Sequence, residues 1–471
     1  MVYQDEYKRK LVSADEAVKC VSSGDIVDYG FFNGKPVVCD QALARRAPEL
    51  SDVSIYTAVT LPPIPEVIKH PNSFRYMDWQ WSKLTRILHN QVEAAYYSPI
   101  LYHRAPFFYR FMLDGDPYEK LHKGYRSVYY KDEASRSAKW IAIVHVAPMD
   151  KSGFFNIGPH NSETSAKVDG ADVVILEVNK NMPICLGGNE EAIHISRVDY
   201  IVEAPETQML FDAPQVAPSE IDTQIAKHVM NYIHDGCCIQ LGIGGMPNMV
   251  GKLIAKSDLK DLGGHTEMFV DAYVDMIESG RMNGSKKSID RFKTSYTFAI
   301  GSQRMYDFMN NNPGLASYPV DYTNDPRVIA QIDNMVSICN AVQVDLFSQV
   351  NAESLGSGQI SGNGGMWDFV LGSQWSKGGK SFICLSSSFT NSKGELISRI
   401  VPGFTPGTTT TIPRQMVDYI VTEYGAVKLT ACPTWMRAEK IISISHPNFR
   451  DDLIKEAEKM KIWRRSNKLP V

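Results

Sequence analysis

Continuous runs of apolar, β-prone residues recur along the chain and are separated by segments of helical periodicity. In the first half the runs are IAIVHVA (141–147), ADVVILEVN (171–179) and DYIVEA (199–204). In the second they are CCIQLGI (237–243), EMFVDAY (267–273), SYTFAI (295–300), MVSICNA (335–341), SFICLSS (381–387) and DYIVTEYG (418–425). Hydrophobicity that is continuous rather than alternating marks strands covered on both faces. Helical stretches such as SADEAVKCVSSG (13–24) and SEIDTQIAKHVMNYIHDG (219–236) lie between them. The pattern predicts an α/β fold of open, mostly parallel sheets flanked by helices. FDAPQVAPSE (211–220) carries two prolines and no periodicity, and Ser219 with Asp222 suits the start of a helix. Domains are therefore expected over 1–212 and 213–471.

The two halves echo each other. SGDIVDYGFFNGKP (23–36) and DGCCIQLGIGGMP (235–247) both run from a strand into a glycine turn closed by proline. Asp150-Lys151-Ser152-Gly153 and Asn391-Ser392-Lys393-Gly394 are matching polar turns, and DYIV occurs at both 199–202 and 418–421. Three matches in one order predict two similar domains from a duplication. Such pairs commonly hold their active site in the cleft between them. The aromatic stretch from 62 to 130 (FRYMDWQW, EAAYYSP, RAPFFYRF) breaks the pattern, as a packed loop-and-helix insertion or as a cap shaping a substrate pocket.

Size and composition agree with this organisation. A chain of 471 residues with 44% hydrophobic and 22% charged content is a globular protein of two or three domains. A net charge of -4 with no basic stripe argues against nucleic acid as a main partner. The N-terminus lacks the apolar stretch of a secretory signal, and no window is apolar enough for a membrane span. The cysteines at 20, 39, 185, 237, 238, 339, 384 and 432 form no CxxC pair, so neither a metal site nor a disulfide framework is expected. Reduced thiols in a cytoplasmic protein are the simpler reading.

Three stretches can carry chemistry. In CIQLGIGGMPNMV (238–250) a strand runs into Gly242, Gly244 and Gly245, with Pro247 beside a new helix. Glycines there allow φ > 0 and close approach of a ligand, and the helix start can face an anion; a bare strand-to-helix turn fits equally well. In GGHTEMFVDAYVDMIESG (263–280) Glu267 follows two glycines where a strand begins, either an exposed glutamate or a carboxylate projecting into a cleft. SGQISGNGGMWDFVLGSQWSKGGKSFICLSS (357–387) concentrates Gly362, Gly364, Gly365, Gly372, Gly378 and Gly379. Crowded backbone N–H groups make concavities for a phosphate or an oxyanion, although a glycine-rich hairpin is the plain alternative. Lys377 and Lys380 read as a solvated face, Cys237-Cys238 as strand interior, and His265 and His446 as structural or supporting groups. No Ser/His/Asp set, nucleophile elbow or metal-spaced histidine cluster is legible.

Together HTEMFVDAYVDMIESG, the 357–387 stretch, VDYTNDP (320–326), DYIVTEYGAVKL (418–429), SHPNFRDDL (445–453) and ADVVILEVNKNMP (171–183) resemble the acetyl-CoA hydrolase/transferase family. The similarity is greatest to its 4-hydroxybutyrate and butyryl-CoA:acetate CoA-transferase branch. It covers essentially the whole chain, most weakly from 62 to 130. The resemblance implies two related α/β domains, a homodimer or homotetramer, and ping-pong transfer of coenzyme A, as substrate, between short-chain carboxylic acids. By position it makes Glu267 the covalent nucleophile. It implies CoA or substrate binding at Gln240, Gly242, Gly244, Gly362, Gly364 and Gly365, with Asp235 a further match, and no metal or permanently bound cofactor. Met366 replaces the glutamine common after the Gly-Gly pair, and TACPTWMRAEK (430–440) is unusual. Both departures bear on the acyl pocket, and Trp367 suggests a partly apolar one. An ordinary glutamate, with pKa near ~4.3, is ionised at neutral pH and needs no activating base. An acyl-CoA hydrolase using the same glutamate, a non-covalent nucleotide- or sugar-phosphate-binding protein, and a non-catalytic CoA-binding regulator are the competing readings.

Overall fold

A computed structural model describes residues 3–112, 138–214, 217–242 and 244–463. The chain divides into two compact units, one of residues 1–214 and 295–323, the other of residues 215–294 and 324–471. The first transition lies beside the boundary expected from the proline-rich stretch. Two further transitions, at 294/295 and 323/324, assign an excursion of the second half to the first unit, which a single cut at 212/213 does not capture. Backbone pairing accounts for it: within that unit Ala299 N–H bonds to Pro159 O at 2.7 Å and Val320 N–H to Ser162 O at 2.7 Å.

Unit 1 is built on a parallel sheet of β1 (Ile26–Tyr29), β2 (Val53–Thr57), β3 (Phe74–Asp78), β4 (Ala95–Tyr97), β5 (Trp140–Val146), β6 (Val173–Val178) and β7 (Tyr200–Glu203). Its spatial order is β4-β3-β2-β1-β5-β6-β7. Every residue of β5 is buried, as the unbroken apolar run predicts for a strand covered on both faces. Helices α1 (Val38–Arg45) and α2 (Thr164–Gly170) follow β1 and β5 in the chain. The expectation that 62–130 stands outside the sheet pattern is corrected for 62–112, because β3 and β4 extend the sheet. Arg75 and Asp78 interrupt the apolar run of β3, and β4 is only three residues long, so neither announces itself. Residues 113–130 of that stretch lie outside the described residues.

Unit 2 repeats the plan with β8 (Cys238–Leu241), β9 (Gly263–Gly264), β10 (Met335–Asn340), β11 (Lys380–Cys384), β12 (Tyr419–Thr422) and β13 (Gly425–Lys428). The order is β9-β8-β10-β11-β12-β13, parallel except for the final hairpin. Helix α3 (Glu220–Met230) opens with a reciprocal Ser219–Asp222 capping box, α4 (Gly245–Ala255) follows β8, and α5 (Met366–Trp375) precedes β11. The run EMFVDAY is not a strand throughout. Only Met268–Phe269 pairs as a strand, and Asp271–Glu278 is helical.

The duplication is visible in register. The two DYIV segments enter corresponding strands, Tyr200 opposite Ile175 and Tyr419 opposite Phe382. The matching polar turns share one geometry. Asp150 Oδ1 accepts from Ser152 and Phe154 N–H, Asn391 Oδ1 from Lys393 and Glu395 N–H, and Gly153 and Gly394 take φ of +87° and +82°.

Candidate active site

The candidate site lies beyond the carboxyl ends of the unit 2 strands. After β9 the chain turns through His265 and Thr266, both fully buried, and Thr266 Oγ1 donates to Met268 O at 3.0 Å. Of residues 262–270 only Glu267 keeps partial exposure, so this corner presents one carboxyl.

Two other segments close on it. Asp325 caps the short helix Pro326–Ile329 by accepting from Arg327 N–H, and the Arg327 guanidinium bonds back to the same carboxylate. That local lock fixes Asn324, whose Nδ2 donates to Glu267 Oε2 at 2.7 Å. The same Nδ2 lies 3.3 Å from Asp368 Oδ2, on the buried third residue of α5. Gly365, at the N-cap of α5, packs its α-carbon against the carboxyl. A β-carbon there would collide with both Glu267 Oε2 and Asn324 Nδ2. The Gly365 N–H also donates to Glu267. Gly362 and Gly364 lead into this position, Gly364 with φ of +48° and its carbonyl accepting from Asn363 Nδ2 at 3.0 Å.

These surroundings correct the expectation of an ordinary, freely ionised glutamate. Part of its surface remains accessible, but protein atoms displace most water from the carboxyl, and that desolvation pushes its pKa up to about 8. The Asn324 hydrogen bond opposes the rise, the like charge of Asp368 adds to it, and the Gly365 N–H opposes it. Cys339 on β10 is pushed up to about 12, by burial and then by the Glu267 charge.

Gln240 is buried on β8, where its Oε1 accepts from Ile338 N–H at 3.0 Å and from Cys339 Sγ at 3.7 Å. It therefore borders the thiol that senses Glu267. Gly242 N–H donates to Ile338 O at 2.9 Å, and Gly244, with φ of +119°, opens α4 without a side-chain cap. A cavity of about 410 Å³ opens beside that helix start, lined by Gly245, Met246, Asn340, Cys384 and Arg399 among others.

The remaining candidates take supporting places. Asp235 precedes β8 at the opposite edge of the sheet, where Oδ1 accepts from Lys260 N–H at 2.8 Å. Lys377 and Lys380 also stand at that amino edge. His446 caps a helix through Nδ1, which accepts from Asn448 N–H at 3.3 Å. Met366 is buried in the apolar core with Cys339, and Trp367 packs against the same cluster. Sequence reasoning did not single out Asn324 or Asp368, although both lie in motifs quoted above. Their usable signals were a polar residue before an Asp-Pro helix start and an acid in the first helical turn after Gly-Gly. Among the described residues no group of three or more His, Cys, Asp or Glu side chains is disposed to hold a metal ion, and no helix is long and apolar enough to cross a membrane.

A doubly repeated parallel α/β scaffold presenting a half-buried, glycine-backed glutamate defines a class, and the family models coincide with it. The acetyl-CoA hydrolase/transferase N-terminal domain matches residues 1–211 and its C-terminal domain residues 301–457, so the chain belongs to that family. Within it, the chain is 46% identical to the butyryl-CoA:acetate CoA-transferase of Anaerostipes caccae, over 99% of this chain and 100% of that one. It is 36% identical to the 4-hydroxybutyrate coenzyme A transferase of Clostridium kluyveri, over 98% of this chain and 100% of the other. Among solved structures, RipA from Yersinia pestis superposes with a TM-score of 0.84 at 34% identity, over 98% of this chain and 100% of that chain.

Proposed function

We propose that this protein transfers coenzyme A from a short-chain acyl-CoA (butyryl, propionyl or 4-hydroxybutyryl) to a carboxylic acid such as acetate, through a thioester on Glu267. The observation that carries the reading is the 2.7 Å bond from Asn324 to a Glu267 carboxyl packed against Gly365, in a chain of this family.

The ionised carboxyl attacks the acyl-CoA carbonyl. The C–S bond breaks, CoA leaves as thiolate, and a mixed anhydride forms on Glu267. The thiolate then attacks the glutamyl carbonyl, the donor acid leaves as carboxylate, and the enzyme keeps a glutamyl-CoA thioester. An acceptor carboxylate reverses the sequence, so thioester energy passes to the product without loss to water. Carboxylates are recognised covalent nucleophiles. A pKa raised to about 8 makes this one more basic while lowering the ionised fraction at neutral pH. The Asn324 NH2 and Gly365 N–H are donors for the oxygen that develops charge on the glutamyl carbon, and one such donor is typically worth ~3 kcal/mol. Orientation supplies the rest, since effective molarities on the order of 10⁵ M attend well-placed groups. A cytoplasmic homodimer or homotetramer belongs to the same reading, and light scattering after size exclusion reads the assembly.

Trapping tests the mechanism. The protein is incubated with butyryl-CoA and treated with borohydride or hydroxylamine, and the modified residue is mapped by mass spectrometry. An adduct on Glu267 is expected, and one elsewhere overturns the reading. CoA release independent of added acetate would instead identify a hydrolase.

A further inference from the structure

Asn324 makes two contacts with one group. Its Nδ2 carries two hydrogens and faces Glu267 Oε2 at 2.7 Å and Asp368 Oδ2 at 3.3 Å. Its Oδ1 is buried without a hydrogen-bond partner among the described residues. Two acceptors around one end of the amide determine which end is NH2. Asp368 is itself fully buried, in the first turn of α5, whose N-cap is Gly365. A carboxylate there is favoured by the helix start.

Glu267 alone cannot hold the amide throughout a catalytic cycle. As a protonated acid it can donate a hydrogen bond, and the vacant Oδ1 would then be the better partner, inviting the amide to turn. As anhydride or thioester it accepts less strongly than a carboxylate. Asp368 takes no part in these changes and remains an acceptor at every stage.

We propose that Asp368 is a positioning residue of the transfer reaction: its carboxylate holds the Asn324 amide so that the same N–H faces the glutamyl oxygen in the acid, anhydride and thioester states. Asp368 does not touch the acyl group and acts through Asn324. Its charge also bears on Glu267, which faces Asp368 from α5, the Cys339 thiol from β10, the Asn324 amide and the Gly365 N–H. The inference rests on Glu267 being the nucleophile.

The test compares Asp368→Asn with Asp368→Ala in steady-state transfer from butyryl-CoA to acetate across pH 5.5–9. Trapping of Glu267 in the unmodified protein runs in parallel. Asp368→Asn retains an acceptor and loses the charge. The acid limb of its kcat/KM profile moves to lower pH by about half a unit or more, with kcat at pH 8 within about tenfold. Asp368→Ala loses the acceptor too, and kcat falls about 10–100-fold with KM for butyryl-CoA little changed. Unmodified kinetics in both variants overturn the proposal. A fall in kcat with an unmoved acid limb, or failure of both variants to fold by circular dichroism, assigns Asp368 to packing and overturns it equally. Absence of a Glu267 adduct in the unmodified protein brings down the transferase mechanism itself, whereas an adduct with indifferent Asp368 variants brings down only this inference.

Discussion

Glu267→Gln separates the cost of the candidate nucleophile from its use. The unfolded chain releases the Glu267 proton near the ordinary value of 4.5, whereas the folded protein keeps it up to about 8. Between those values the folded state holds the extra proton, so stability falls as pH rises through this window and is level outside it. At pH 7 about 2.5 pH units of the window have been crossed, each worth ~1.4 kcal/mol, which gives an upper bound of about 3 kcal/mol. Glutamine carries no charge to desolvate, and its amide oxygen can accept from Asn324 and Gly365 as Oε2 does. Glu267→Gln should therefore abolish transfer and raise the melting temperature at pH 7 by on the order of 3 °C, since about 2 cal/mol/K of unfolding entropy per residue makes 1 kcal/mol worth about 1 °C in a chain of 471 residues. Calorimetric melts of both proteins from pH 4 to 8.5 check this: the curves should coincide at the acid end and separate progressively up to about 8. A constant offset across that range, or a variant less stable at pH 8, would refute burial as the cause of the raised pKa.

Three further predictions follow from neighbouring contacts. Asn324→Ala removes a bond that lowers the Glu267 pKa, so the acid limb of kcat/KM should move to higher pH while kcat drops about 10²-fold; an unmoved limb contradicts the assignment. Gly365→Ala introduces a β-carbon where Glu267 Oε2 and Asn324 Nδ2 now lie, and kcat should fall about 10²-fold in a protein whose circular dichroism is unchanged. In unit 1, Lys167 is fully buried with Asp28 Oδ1 at 2.7 Å and Glu163 Oε1 at 3.0 Å. Lys167→Met strands both carboxylates and should cost about 3–5 kcal/mol in urea unfolding, largely recovered by adding Asp28→Asn and Glu163→Gln.

What the sequence made legible depended on how local each cause is. Central strands such as β5 and β10 declare themselves because burial on both faces demands an unbroken apolar run. The edge strand β4 is three residues long and exposed at Tyr96, and β3, paired with β2 and β4, is interrupted by Arg75, so neither shows an unbroken apolar run. EMFVDAY has the length and hydrophobicity of a strand. From Asp271 on it is helical, its buried Ala272 and Tyr273 lying with Val274 and Met276 on the helix Asp271–Glu278, a distinction that short apolar runs do not carry. Glu267 was reachable through the family resemblance, but its raised pKa was not. That shift is a tertiary property: burial by packed segments causes it, the distant Asn324 opposes it and the charge of Asp368 adds to it.

The duplicated scaffold also bears on why there is one candidate nucleophile. The third residue of the first strand is Asp28 in β1, opposite Ala142, and Gln240 in β8, opposite Ser337. The N-cap of the corresponding helix is Glu163 before α2 and Gly365 before α5. In unit 1 these positions supply two carboxylates, and Lys167 neutralises them in a fully buried cluster that Tyr109 and Trp140 complete by donating to Asp28. That copy is fully buried, and its charges are paired with one another. In unit 2 the acid of the strand is an amide already spent on Ile338, and the N-cap has no side chain. Glu267, from the turn after β9, stands beside Gly365 and meets two hydrogen-bond donors and, among the described residues, no paired cation. A cation there would favour the ionised carboxylate, whereas neutral donors and the nearby Asp368 leave the pKa raised to about 8, the basicity on which the proposed attack on a thioester depends.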